Sequence, residues 1–177
     1  IFVPHEGCPH NCVFCNQDRI TGVKDRVDAE KVKNIIEEYY ETIENKEATI
    51  EVSFFGGTFT AIREEKQKEL LEVAKKYKDL GVVQKIRMST RPDYINDYIL
   101  TYLKDYSVDI IELGIQSLDE EVLLAAGRGH SVSDVINASK LIKKYGITLG
   151  HQLMPGLPKS TPEKDIDRKS TRLNSSH

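Results

Sequence analysis

Residues 1–15 read IFVPHEGCPHNCVFC. Three apolar residues, Ile1-Phe2-Val3, stop at Pro4, and the loop that follows holds all three cysteines of the chain, Cys8, Cys12 and Cys15. A short strand that ends in a chemically dense loop is the unit the rest of the sequence repeats. Thr49–Phe55 reads as a strand running into Gly56-Gly57-Thr58, and Val83–Met88 runs into Ser89-Thr90-Arg91-Pro92. Val108–Ile115, nearly continuous in its apolar content, runs into Gln116, and Ile147–Met154 opens into Pro155-Gly156-Leu157-Pro158. Strands alternating with helices, and apolar enough to be covered on both faces, imply parallel βα units. A βα barrel places its functional residues at the carboxyl ends of its strands, whereas an open doubly wound sheet gathers them at one switch point. Unusual clusters after every strand favour the barrel.

The helices follow from apolar residues at helical spacing. Ala29–Glu44, with Asp28 as N-cap, places Val32, Ile35, Ile36, Tyr39, Tyr40 and Ile43 on one face. Glu64–Lys78 is built on Leu70, Leu71, Ala74 and Tyr77 and closes near Gly81; Asn96–Tyr106 carries Ile99, Leu103 and Tyr106. Ser117 and Glu120 read as a capping box for a short helix to Ala126. Ser133–Tyr145 turns Val135, Ile136, Leu141 and Ile142 inward and stops at Gly146, and Ser160-Thr161-Pro162-Glu163 starts a further helix.

Composition describes one globular domain. Charged residues make up 30% of the chain, the formal charge is −3, and no apolar run is long enough to span a membrane. The opening residues are too short and too polar for a signal peptide, and clustered free cysteines suit a reducing, cytoplasmic compartment. The mildly negative balance argues against a large sequence-independent nucleic-acid surface. The last stretch, Asp167–His177 (DRKSTRLNSSH), matches the in-frame translation of a common sequencing-library adapter. It is expected to be a non-native tail behind a domain of residues 1–166, and His177 is set aside as a metal ligand.

The spacing CxxxCxxC supplies three thiolates. They can hold three irons of a cubane 4Fe–4S cluster and leave the fourth iron open to a small ligand. The rivals are a zinc site completed by His5 or His10, or a simple iron–sulfur electron carrier, which ordinarily brings four cysteines. A disulfide pair would leave one thiol over.

The run CPHNCVFC resembles the hallmark of the radical S-adenosylmethionine (SAM) enzymes, an aromatic residue preceding the last cysteine. With FFGGTFT, STRPDYI, ELGIQSLDEEVL, RGH and MPGLP in that order, the chain is similar to the radical-SAM domain of the Elongator catalytic subunit and its bacterial relatives. The resemblance covers nearly all of residues 1–166. It implies a partial parallel (βα) barrel of the radical-SAM type, cut before its sixth strand. It also implies a 4Fe–4S cluster on Cys8, Cys12 and Cys15, with SAM chelating the open iron and cleaved to a deoxyadenosyl radical that abstracts hydrogen. By resemblance Gly56, Gly57 and Thr58 form the edge that takes the SAM amino group. Gln116 contacts SAM, Arg128 pairs with its carboxylate, and Phe14 lies against the adenine.

Ser89 stands where related enzymes often carry a glutamate, and Gln152 where they often carry an aspartate for the ribose hydroxyls; both can hydrogen-bond without supplying a charge. His5, His10 and His130 are expected to pack or hydrogen-bond rather than to catalyse. The implied partners are an external one-electron reductant and, from the Elongator likeness, transfer RNA. No acetyltransferase domain, which Elongator also has, is visible in this sequence.

Overall fold

The computed structural model describes residues 1–3, 10, 12–15, 27–45 and 47–165. Cys8, His5 and the stretch Asp167–His177 lie outside the described residues. The element order is β1 (Phe2–Val3), α1 (Ala29–Thr42), β2 (Glu51–Gly56), α2 (Glu64–Asp79), β3 (Lys85–Thr90), α3 (Asp97–Asp105), β4 (Ile110–Gln116), α4 (Glu120–Ala125), α5 (Val132–Lys144) and β5 (Thr148–Leu153). Short 3-10 turns follow β2 and β3, at Phe59–Ala61 and Pro92–Tyr94, and residues 162–165 form a last helical turn.

All strand pairs are parallel, and the spatial order is the sequence order, β1-β2-β3-β4-β5. The order never reverses, so the sheet has no switch point, and the five carboxyl ends form one continuous rim. This is the partial-barrel arrangement expected from the sequence. Period-two alternation divides the two faces. Val52 and Phe54, Ile86 and Met88, and Ile111, Leu113 and Ile115 are buried in one core. Their partners there come from the helices: Val32, Ile36, Leu70, Leu71, Leu100, Leu103, Val135 and Ile142.

The opposite face is polar. Arg87 bridges Glu51 and Glu112 at 2.8 Å each. Gln152 donates to Glu112 at 2.8 Å and to Ser89 at 3.2 Å. Gly56 seals β1 to β2: its φ is +118°, and a Cβ there would lie 2.5 Å from the Val3 carbonyl oxygen, so no other residue fits. Among the described residues, no helix is long and apolar enough to cross a membrane.

Four details depart from the sequence reading. The N-cap of α4 is Asp119, whose carboxylate accepts from the Glu121 and Val122 amides. Ser117, the expected cap, accepts only from the Asp119 amide. The next helix starts earlier than expected, at Val132, because Ser131 and Asp134 form the capping box. Its inward stripe is Val135, Ala138, Ser139 and Ile142, a regular i, i+3, i+4, i+7 set that leaves Ile136 to one side at 37% exposure. Tyr39 is 66% exposed. The last turns of α1 stand over an open, largely apolar cavity of about 850 Å³, lined by Ile1, Phe2, Ile43 and Ile50 among others, instead of over packed strand.

The cap assignment has a measurable consequence. Asp119→Ala should lower unfolding stability by about 1 kcal/mol, and Ser117→Ala by clearly less. Urea midpoints of the two variants in the reverse order would refute the assignment.

Candidate active site

The rim of carboxyl ends encloses a cavity of about 210 Å³. Cys12 and Cys15 line it, as do Phe14, Gly56, Gly57, Thr58, Ser89, Gln116, Arg128 and Gln152. Every residue that the sequence singled out for this site is therefore in one place, except Cys8, which lies outside the described residues.

Residues 12–15 are held by two backbone hydrogen bonds. The Cys15 amide donates to the Cys12 carbonyl at 2.9 Å, which makes a tight turn, and the Val13 amide donates to Ala126 at the end of α4 at 3.0 Å. Phe14 packs with Val122, Ala126, Met154 and Leu157 in a small apolar cluster apart from the main core. The aromatic side chain thereby joins the cysteine loop to the Met154–Pro158 loop while still lining the cavity.

Gln116 is delivered to the cavity by a local irregularity. The β4–β5 register shifts between Gly114 and Gln116, and Gln116 has a φ of +63°. A left-handed non-glycine residue at a strand end is a costly conformation of the sort that clusters at functional sites. The Met154 amide holds it by donating to the Gln116 carbonyl at 2.9 Å.

Arg128 is 8% exposed. Its Nη2 donates to the Gly114 carbonyl at 2.6 Å, and its Nη1 reaches Cys12 Sγ at 3.7 Å. Its buried Nε has no hydrogen-bond partner among the described residues. Burial lowers its pKa from the ordinary arginine value, and the Arg91 guanidinium nearby adds to that. Gly127 and Gly129 flank it with φ of +61° and +81°.

Two residues missed by the sequence reading complete the arrangement. Arg91, 2% exposed, forks onto both carboxylate oxygens of Asp93 at 2.9 and 3.0 Å and donates to the Arg128 carbonyl at 2.8 Å. Glu112 accepts from Gln152, so a carboxylate stands behind the glutamine after all. The available signals were the Arg-Pro-Asp spacing and a lone acidic residue in an apolar strand.

His10 lies 3.8 Å from Asp93, and its ring occupies the space a Gly129 Cβ would need. His130 is buried, with Nε2 3.3 Å from the Ile115 carbonyl oxygen. Burial, then Arg128 and Arg91, push its pKa down to about 4, so the imidazole is neutral at neutral pH.

The donor set suits an anionic, sulfur-ligated group. Two thiols share a cavity with a buried guanidinium aimed at one of them. Gly114 leaves the room that guanidinium needs, since a Cβ there would stand 3.0 Å from Nη2.

A family model described as the radical SAM superfamily matches residues 2–168, and the chain belongs to that superfamily of enzymes. Its members use a 4Fe–4S cluster and SAM. Within it the chain is similar to two tRNA uridine(34) acetyltransferases. That of Dehalococcoides mccartyi is 40% identical over 79 residues, which is 45% of this chain and 17% of the relative. That of Methanocaldococcus infernus is 35% identical over 133 residues, 66% of this chain and 25% of the relative. Among solved structures, Methanocaldococcus infernus Elp3 with an N-terminal deletion aligns at a TM-score of 0.66 and 29% identity, over 77% of this chain and 36% of that one. The chain thus spans about a quarter or less of the length of these two curated relatives.

The depressed pKa of His130 fixes a sign for pH dependence. Between its unfolded value of 6.5 and its folded value of about 4, the unfolded state binds the proton that the folded state refuses. The contribution to stability is complete above pH 6.5 and is lost as the pH falls toward 4. His130→Gln should flatten the acid side of the stability profile measured by urea unfolding; a profile parallel to wild type would show that the imidazole is not held neutral.

Proposed function

We propose that Cys8, Cys12 and Cys15 hold the 4Fe–4S cluster and that the 210 Å³ cavity lined by Cys12 and Cys15 binds SAM. The observation that carries this reading is the convergence on one cavity of Cys12, Cys15, Gly56, Gly57, Gln116 and Gln152 from the carboxyl ends of separate strands and of Arg128 from the loop between α4 and α5.

When bound, the pair supplies a deoxyadenosyl radical that takes hydrogen from a substrate. The protein's part is orientation and exclusion. Gly56-Gly57 presents main chain without side-chain bulk. Arg128 offers its unused Nε toward a carboxylate. Gln152, whose amide nitrogen is committed to Glu112 and Ser89, offers its carbonyl oxygen to a hydroxyl donor. Phe14 closes the apolar side. An external one-electron reductant completes the requirement.

For substrate class we propose transfer RNA, modified at a wobble uridine. This rests on the likeness to enzymes named for uridine 34 of transfer RNA.

Anaerobic reconstitution with iron and sulfide should give about four irons per chain and, with SAM and dithionite, deoxyadenosine. Cys12→Ala should abolish both. Stoichiometric zinc in place of iron would overturn the cluster reading, and a cluster without SAM cleavage would favour an electron carrier. Binding of transfer RNA no tighter than that of an unrelated RNA of equal length would overturn the substrate class alone.

A further inference from the structure

The main-chain and side-chain geometry around Arg128 does more than offer a charge to a ligand in the cavity. Two of its three nitrogens are already engaged by the protein, Nη2 by the Gly114 carbonyl and Nη1 by Cys12 Sγ. The loop that carries it is shaped for that contact. Gly127 and Gly129 both take positive φ, Arg91 pins the Arg128 carbonyl, and Gly129 lets the ring of His10 from the cysteine loop pack against the turn. Gly114 is the remaining requirement, because a Cβ there would crowd Nη2. Arg91 and Arg128 face one carboxylate, Asp93, and Arg91 takes both of its oxygens. The positive charge of Arg128 is left for the sulfur side.

We propose that Arg128 sets the reduction potential of the cluster through its contact with Cys12 Sγ. The proposal rests on the cluster assignment made above and adds to the carboxylate role a second role that needs no SAM. Reduction draws one electron from an external one-electron reductant, makes and breaks no bond, and moves no proton. It adds one negative charge to the cluster. A fixed cation 3.7 Å from a ligand sulfur, in surroundings that screen it poorly, favours that added charge and raises the potential. Arg128 acts here as a positioning and tuning residue, distinct from any group that reacts.

The test is EPR-monitored potentiometry of the reconstituted full chain without SAM, with dithionite as reductant. Arg128→Met, which removes both charge and donor, should shift the midpoint to a more negative value. Arg128→Lys, which keeps the charge but cannot span Gly114 and Cys12 together, should give a smaller shift of the same sign. Gly114→Ala keeps Arg128 itself but crowds its guanidinium out of position; it should move the midpoint the same way and alter the EPR g-values of the reduced cluster. An unchanged midpoint in a fully loaded Arg128→Met protein overturns the proposal. If Arg128→Met assembles no cluster, Gly114→Ala decides. A loaded cluster at the wild-type potential overturns the proposal, and loss of the cluster in that variant too assigns Arg128 to assembly and likewise overturns it. Failure of the wild-type chain itself to assemble a cluster would instead refute the assignment of the cysteines.

Discussion

Parallel pairing in strict sequence order is the constraint on which everything else in this molecule depends. Each strand must leave at its carboxyl end, cross over through a helix, and return beside its predecessor, so that β1 to β5 deliver all their exits to one rim. Residues as far apart in sequence as Cys12, Gly57, Ser89, Gln116 and Gln152 meet there because the sheet has no other place to put them. The helix-facing residues that hold the strands together, such as Phe54, Met88 and Leu113, are one position removed from residues on the polar face, and the period of two keeps the two populations apart. A slip of one residue would exchange Ile111 and Leu113 for Glu112 in the core. The core therefore specifies the register, and the register places the site.

Against that regular frame, the site collects features that cost free energy locally. Two guanidiniums are nearly out of solvent, and removing an ion from water costs several kcal/mol unless it is compensated. Arg91 is compensated by a two-toothed pair with Asp93 and by a carbonyl. Arg128 has a carbonyl and a sulfur. Gln116 adds backbone strain, and a neutral buried histidine adds a nitrogen, Nδ1, without a partner among the described residues. Such concentration in and around one cavity, with an apolar core beneath it, is the distribution expected when stability is given up for preorganisation.

Much of this was legible in the sequence because the signals are local. Strand ends were marked by glycine and proline, helix faces by spacing, and the three thiols by their proximity in the chain. What escaped the reading depends on distance. Arg91 stood in the cluster after the third strand without a role of its own, since nothing in a linear string tells which arginine will be buried against the carbonyl of residue 128. Glu112 became significant only when β5 brought Gln152 to it. Ser117 and Asp119 both carry acceptors within two residues of each other, and backbone geometry, which propensity does not encode, decided which one capped α4. Tyr39 followed the helical period faithfully and was still left exposed, because periodicity says which way a side chain faces but not whether anything stands opposite.

The polar face of the sheet explains how two apparent weaknesses of the site are reconciled. Ser89 and Gln152 are neutral, which taken alone would leave the cavity short of negative charge. The two are hydrogen-bonded to each other, and Gln152 is bonded in turn to Glu112, which shares Arg87 with Glu51. A closed barrel fills its interior with branched apolar side chains; here the corresponding face carries a polar ladder that crosses four strands, charged on three of them and ending at neutral Gln152. Within it one arginine is shared by two carboxylates, so the ladder keeps a net negative charge. Because the amide of Gln152 is spent on that ladder, its orientation is fixed: the nitrogen points to Glu112 and the carbonyl oxygen is left for the cavity. A neutral residue backed by a partly buried carboxylate can thus present an acceptor to the cavity, with the charge itself held behind it.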